Sequence, residues 1–159
     1  MAEEIIVRRS PIPVNQCNLA RSFELVGDRW ALLILRSALY GVRRFGDFQA
    51  DLDIPRSVLS HRLAGLTEAG IFQRSEYREN GQRGRAEYLL TDMGKALALP
   101  FMAMTAWGDM WLGQGKSPLK LRSRLTQKQV KVAFVDEEGT VIQPSQLELV
   151  FDLDLSKKK

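Results

Sequence analysis

The stretch "DRWALLILRSALYG", residues 28–41, constrains the fold most. It is apolar nearly all round, with Arg36 and Ser37 the main exceptions. A helix of that kind belongs at the centre of a core rather than on a surface. Its ends are marked in the sequence. Asp28 suits the N-cap position, and Gly41 suits the residue that stops the helix. Other elements must therefore wrap around this segment. The chain has 159 residues, enough for one domain or for one domain with an appendage.

The flanking segments supply those elements. Residues 1–14 read as an extended arm, punctuated by Pro11 and Pro13. A first helix starts near Asn15 or Asn18 and ends at Gly27. After the central helix, "RFGDFQADL" reads as a short third helix with Phe45, Phe48 and Leu52 on its buried side. The turn "DIP" leads into "PRSVLSHRLAGLTEAG", a helix over 55–69 that Pro55 opens and Gly70 ends. Leu59, Leu63 and Leu66 recur at i, i+4 and i+7 on one side of it, opposite Ser57, Ser60, His61 and Ala64. An ordinary surface helix would carry Lys and Glu there. The period then changes: "IFQRSEYRE" and "RAEYLL" read as two strands joined by the turn "NGQRG". Thr91 caps a long helix over 92–112, which Pro100 should kink or divide.

A break at "GQGKSP" separates a remainder in which "QVKVAFVD", "EEGT" and "VIQ" form a hairpin and "QLELVFDLDL" a further strand. This piece has too few large apolar groups to fold alone, so it should pack on the first domain or on a partner chain. The expected organisation is an arm (1–14), a main helical domain with a hairpin (15–113) and a β-rich extension (114–159). The fold class is mainly α with a small β-hairpin wing, a winged helix-turn-helix, plus the short β-rich C-terminal extension.

In a helix-turn-helix the second helix enters the major groove. That groove is about 12 Å wide, so short hydroxyl side chains and one imidazole let the backbone come close. Expected contacts to bases or phosphates are Arg56, Ser57, Ser60, His61 and Arg62 from this helix. Arg78, Arg83 and Arg85 act from the wing at 77–86, whose glycines make a narrow tip suited to a minor groove. Arg43 and Arg44 are candidate phosphate clamps before the third helix. Net charge is a poor guide. Residues 1–113 carry 14 Lys and Arg against 13 Asp and Glu, but 13 of those 14 cations are Arg. Arg suits bidentate contacts with phosphate and guanine. The near-balance also leaves a second reading open, a winged helix that binds another protein and has no DNA target.

Several classes are disfavoured. Cys17 is the only cysteine and His61 the only histidine, so disulfide scaffolds, four-cysteine zinc sites and His-based triads lack material. No phosphate loop or nucleophile–base pair appears, so neither an enzyme nor a cofactor is expected. The sequence has no apolar run of membrane-spanning length and its acidic N-terminus lacks a signal-peptide core, which makes the cytoplasm the default location.

The segments "CNLARSFELVGDRWALLILRSALYG", "RRFGDF", "LSHRLAGLTEAGI", "AEYLLTDMGKAL" followed by Pro100, and "AWGDMW" also carry a resemblance. Their order and spacing over 17–113 resemble the HxlR-type regulators, a branch of the bacterial winged helix-turn-helix repressors and activators. The resemblance implies a homodimer on a roughly palindromic operator in double-stranded DNA, with terminal helices paired across the two-fold axis. The apolar residues Phe101, Met104, Trp107 and Trp111 suit such an interface. It further implies a small-molecule or electrophile effector, because some relatives use a cysteine at the place of Cys17 as a sensor. Cys17 stands near a helix N-terminus with Arg21 one turn along, a setting that favours a thiolate. A buried structural cysteine is the other reading of the same residue.

Overall fold

The structure is a computed structural model that describes residues 11–77, 85–114 and 116–151. A short 3-10 turn, Val14–Gln16, leads into helix α1, Asn18–Val26. Helix α2, Arg29–Leu39, follows after Gly27 and Asp28. The Asp28 carboxylate accepts hydrogen bonds from the backbone N–H groups of Trp30 (3.0 Å) and Ala31 (3.2 Å). Two of the helix's unpaired N-terminal donors are satisfied in this way. At the other end the backbone turns at Gly41, whose φ of 101° suits glycine.

Helix α2 is buried on one side through Ala31, Ile34, Leu35 and Ala38. Its remaining leucines, Leu32, Leu33 and Leu39, are only half-buried. The expectation of a helix enclosed all round is corrected here. A domain this small lays one set of elements over α2, and its second side faces an open groove. Ser37, an exception in the apolar pattern, is fully buried and donates a hydrogen bond to the Asp51 carboxylate. That bond ties α2 to α3, Phe45–Leu52.

Phe48 of α3 is fully buried. The chain leaves α3 through Asp53, whose φ of 47° is left-handed, and Pro55 precedes α4, Arg56–Glu68. Leu59, Leu63 and Leu66 are buried, as their spacing requires. Helix α4 closes with paired bonds from Gly70 N–H to Thr67 O (3.0 Å) and from Ile71 N–H to Leu66 O (2.9 Å). This pattern needs a left-handed residue, and Gly70 supplies it at φ 76°.

Strands β1, Phe72–Tyr77, and β2, Arg85–Leu90, pair antiparallel, with Phe72 opposite Leu90 and Tyr77 opposite Arg85. Phe72 makes edge-on contacts with Phe48 and Tyr88, both at 6.3 Å between ring centres, and so anchors the hairpin to the core. The segment before α3 joins its outer edge. The Arg43 carbonyl accepts from Tyr88 N–H at 2.8 Å, and Arg44 bridges to Glu87.

Thr91 then caps α5, Asp92–Ala96, by accepting from Gly94 N–H at 3.1 Å. Its hydroxyl also donates to the Gly70 carbonyl, which pins the end of α4 to the start of α5. Helix α6, Ala98–Trp111, follows a break at Leu97. Pro100 explains the break: it has no N–H for the Ala96 carbonyl and its ring crowds that group.

After α6, residues 117–119 lie against α2 and α6. Strands β3, Phe134–Val135, and β4, Val141–Ile142, form a two-residue ladder around a turn at Gly139. The further strand expected in "QLELVFDLDL" does not form over 147–151; Gln146 ends a 3-10 turn, Pro144–Gln146, and 152–155 lie outside the described residues. Phe134, Val135 and Val141 of this hairpin are exposed, and Ile142 is half-buried.

Candidate nucleic-acid interface

The outer side of α4 presents Ser57, Ser60, His61 and Ala64 to solvent. At about 100° per residue these four fall within one quarter to one third of the helix circumference, opposite the three leucines. Arg56 and Arg62 lie on its two flanks, about 120° apart. They go to different places. The Arg56 guanidinium lies 5.2 Å from the centre of the Phe45 ring, toward the hairpin. Arg62 turns the other way, and its Nε stands 3.3 Å from Asp28 Oδ1, the N-cap of α2. The expected grouping of Arg62 with the outward-facing residues is not what the structure brings together.

The flank on the hairpin side opens into a cleft of about 450 Å³ between the start of α3, the start of α4 and the two strands. Arg44, Arg56, Ser60 and Arg85 of the expected set line it. Arg44 also lies 4.3 Å from the centre of the Tyr77 ring. The cleft adds Arg74 and Tyr77, which sequence reading did not select. Arg74 could have been found: it stands two residues after Phe72, so it shares the strand face that packs toward α3 and α4. His61 instead borders a separate hollow of about 160 Å³ with Glu24, Asp28 and Arg62. Arg43 is exposed and contributes its carbonyl to the hairpin edge. Arg78 and Arg83, at the expected wing tip, lie outside the described residues.

The residues expected at a dimer interface divide. Phe101 is half-buried and packs on the core. Met104, Trp107 and Trp111 stand 56%, 59% and 69% exposed. Leu19 and Phe23 of α1 are exposed as well. Phe101 and Met104 also line an apolar groove of about 650 Å³ between α2, α6 and residues 117–119. Cys17 is half-buried at the N-cap of α1. Among the described residues no cluster of three or more His, Cys, Asp or Glu side chains could hold a metal ion. No helix among them is long and apolar enough to cross a membrane.

Helices α3 and α4 joined by a tight turn, with a hairpin beside the second, are the architecture of a winged helix-turn-helix. The model of the HxlR-like helix-turn-helix family matches residues 25–116, and the chain belongs to that family. An uncharacterized helix-turn-helix-type transcriptional regulator of Mycobacterium tuberculosis, Rv3095, is 45% identical over 106 residues, which are 66% of each chain. The match therefore spans slightly under two thirds of that relative's length. The solved structure of PA1607, a candidate transcription factor, superposes with a TM-score of 0.72 at 29% identity, covering 86% of this chain and 95% of that one. A likeness of that coverage reaches past residue 116 into the C-terminal segment. The reduced form of the transcriptional regulator YodB of Bacillus subtilis gives 31% identity and a TM-score of 0.53, over 63% of this chain and 98% of that one. A quinone-bound form of YodB gives 29% identity and a TM-score of 0.51, over 59% and 97%.

Proposed function

We propose that the protein is a dimeric, sequence-specific DNA-binding transcriptional regulator. The observation that carries this reading is the outer side of α4. It is exposed, short and uncharged at Ser57, Ser60 and Ala64, and an Arg-lined cleft flanks it. Such a surface lets the helix backbone approach base edges while guanidiniums meet the sugar–phosphate strand. Helix α4 reads the major groove, and the wing over 77–86 lies at the minor groove. Met104, Trp107 and Trp111 of α6 supply the dimer contact, with α1 beside them. Two recognition helices related by the dyad then meet successive major grooves, about 34 Å apart, on a roughly palindromic operator. A cytoplasmic location goes with that reading.

Residues 15–113 form the unit that binds DNA and dimerises, the arm precedes it, and 114–159 is an appendage. YodB, whose structures include a quinone-bound form, supports a thiol-reactive or small-molecule signal acting at Cys17. The N-cap position of Cys17 suits that chemistry, since a helix N-terminus favours a thiolate. The test is binding to a duplex selected by the protein from a random library. Ser60→Ala combined with His61→Ala should reduce preference for that duplex over a scrambled one by about 10-fold or more, at about 1–3 kcal/mol per base contact. Unchanged preference removes α4 as the reading element. Absence of any salt-dependent DNA binding favours the alternative, a winged helix that binds a protein.

A further inference from the structure

We infer that the cleft between α4 and the hairpin is a clasp for the DNA backbone, with Arg74 as its central contact. This rests on the reading of α4 as a major-groove helix, and it adds a division of labour within that reading. The cleft arginines grip a phosphodiester, and discrimination among bases is left to the short outer residues of α4.

Among the described residues the lining carries Arg44, Arg56, Arg74 and Arg85 and the carboxylate of Asp47. Among the described residues no carboxylate lies within ion-pair distance of Arg56, Arg74 or Arg85. Cations gathered in one hollow repel one another, and an anion placed among them removes that cost. Two of the guanidiniums are already positioned by rings, Arg56 over Phe45 at 5.2 Å and Arg44 over Tyr77 at 4.3 Å. A guanidinium packed by its face keeps its N–H donors at the edge, where a phosphate oxygen accepts them. Less side-chain freedom is then lost on binding. Ser60 and Tyr77 add hydroxyl groups to the same lining.

Position decides what the anion is. In B-DNA one sugar–phosphate strand separates the major groove from the neighbouring minor groove. A hollow that lies between a helix in the first and a wing at the second must face that strand. Arg74 stands on β1 opposite Tyr88, at the middle of the hairpin that forms the wall of this hollow. Its side chain is exposed, and among the described residues no carboxylate stands within ion-pair distance of it.

The experiment compares wild type, Arg74→Ala and Arg74→Lys by fluorescence anisotropy. It uses the library-selected duplex and its scrambled counterpart, from 50 to 200 mM salt. Arg74→Ala should weaken both duplexes by the same factor and make the slope of log K against log salt shallower by about one per subunit. For a dimer, the wild type should lose about tenfold more affinity than the variant across that salt range. Arg74→Lys, which keeps the charge, should restore the slope. Thermal melts of all three should coincide. An Arg74→Ala slope equal to wild type overturns the clasp, and so does a loss confined to the selected duplex, which would make Arg74 a base reader. If wild type itself binds neither duplex in a salt-dependent way, the reading of α4 falls and the clasp falls with it.

Discussion

Asp28 and Arg62 give the sharpest single test of the structure, because one carboxylate oxygen serves two purposes. Asp28 Oδ1 accepts from two backbone N–H groups at the start of α2 and stands 3.3 Å from Arg62 Nε on α4. Removing an Asp N-cap costs about 0.5–2 kcal/mol. The pair is only half-buried, and Nε is not aligned on the carboxylate as a hydrogen bond, so it adds about 0–1 kcal/mol. Asp28→Ala should therefore lose about 0.5–3 kcal/mol. Asp28→Asn keeps a capping oxygen and gives up the charge, so its loss should stay under about 1 kcal/mol. Arg62→Ala should fall in that same lower range, and the double variant Asp28→Asn with Arg62→Ala should reveal a coupling of no more than about 1 kcal/mol. Urea unfolding followed by tryptophan fluorescence reads these differences, with Trp30 beside the cap as a local reporter. Protein concentration must be held fixed, since dimerisation shifts apparent stability. Arg62→Ala should also leave the salt slope of DNA binding at the wild-type value. Equal losses for Asp28→Ala and Asp28→Asn would refute the cap as the main contribution. A slope shallower by about one per subunit for Arg62→Ala would mean that Arg62 reaches phosphate and that Asp28 does not hold it.

Three further predictions are independent. A Cβ on Gly94 would stand 2.3 Å from the Ile71 carbonyl oxygen, so Gly94→Ala should cost about 1–3 kcal/mol, read as a melting point lowered by about 2–4 °C per kcal/mol. Trp107→Glu, at an exposed position on α6, should leave the fold intact and shift sedimentation equilibrium from dimer to monomer; an unchanged dimer removes α6 from the interface. A quinone or diamide should lower DNA affinity of the wild type and spare Cys17→Ser, and equal losses in both would dismiss Cys17 as the sensor.

What the sequence determined by itself are the elements and their order. Asp28, Gly41, Gly70, Thr91 and Pro100 mark helix ends through backbone chemistry, and the part each plays in ending or starting its helix lies within four residues of itself. The leucine period on α4 gave its buried side for the same reason: a helix has a fixed repeat. Tertiary structure alone decided the partners. Nothing local says that Arg56 meets Phe45 while Arg62 meets Asp28, because the choice depends on what stands across each flank of α4. Arg74 was overlooked because a strand arginine gains meaning only when the hairpin is folded beside α4. Phe101 and Met104 look alike in an apolar stripe, yet one packs on the core and the other faces out. The strand expected beyond Leu147 has the right residues and no ladder partner over 147–151. Periodicity reports which side of a segment avoids water. Which neighbour a polar or aromatic group finds there is settled by contacts between residues far apart in the chain.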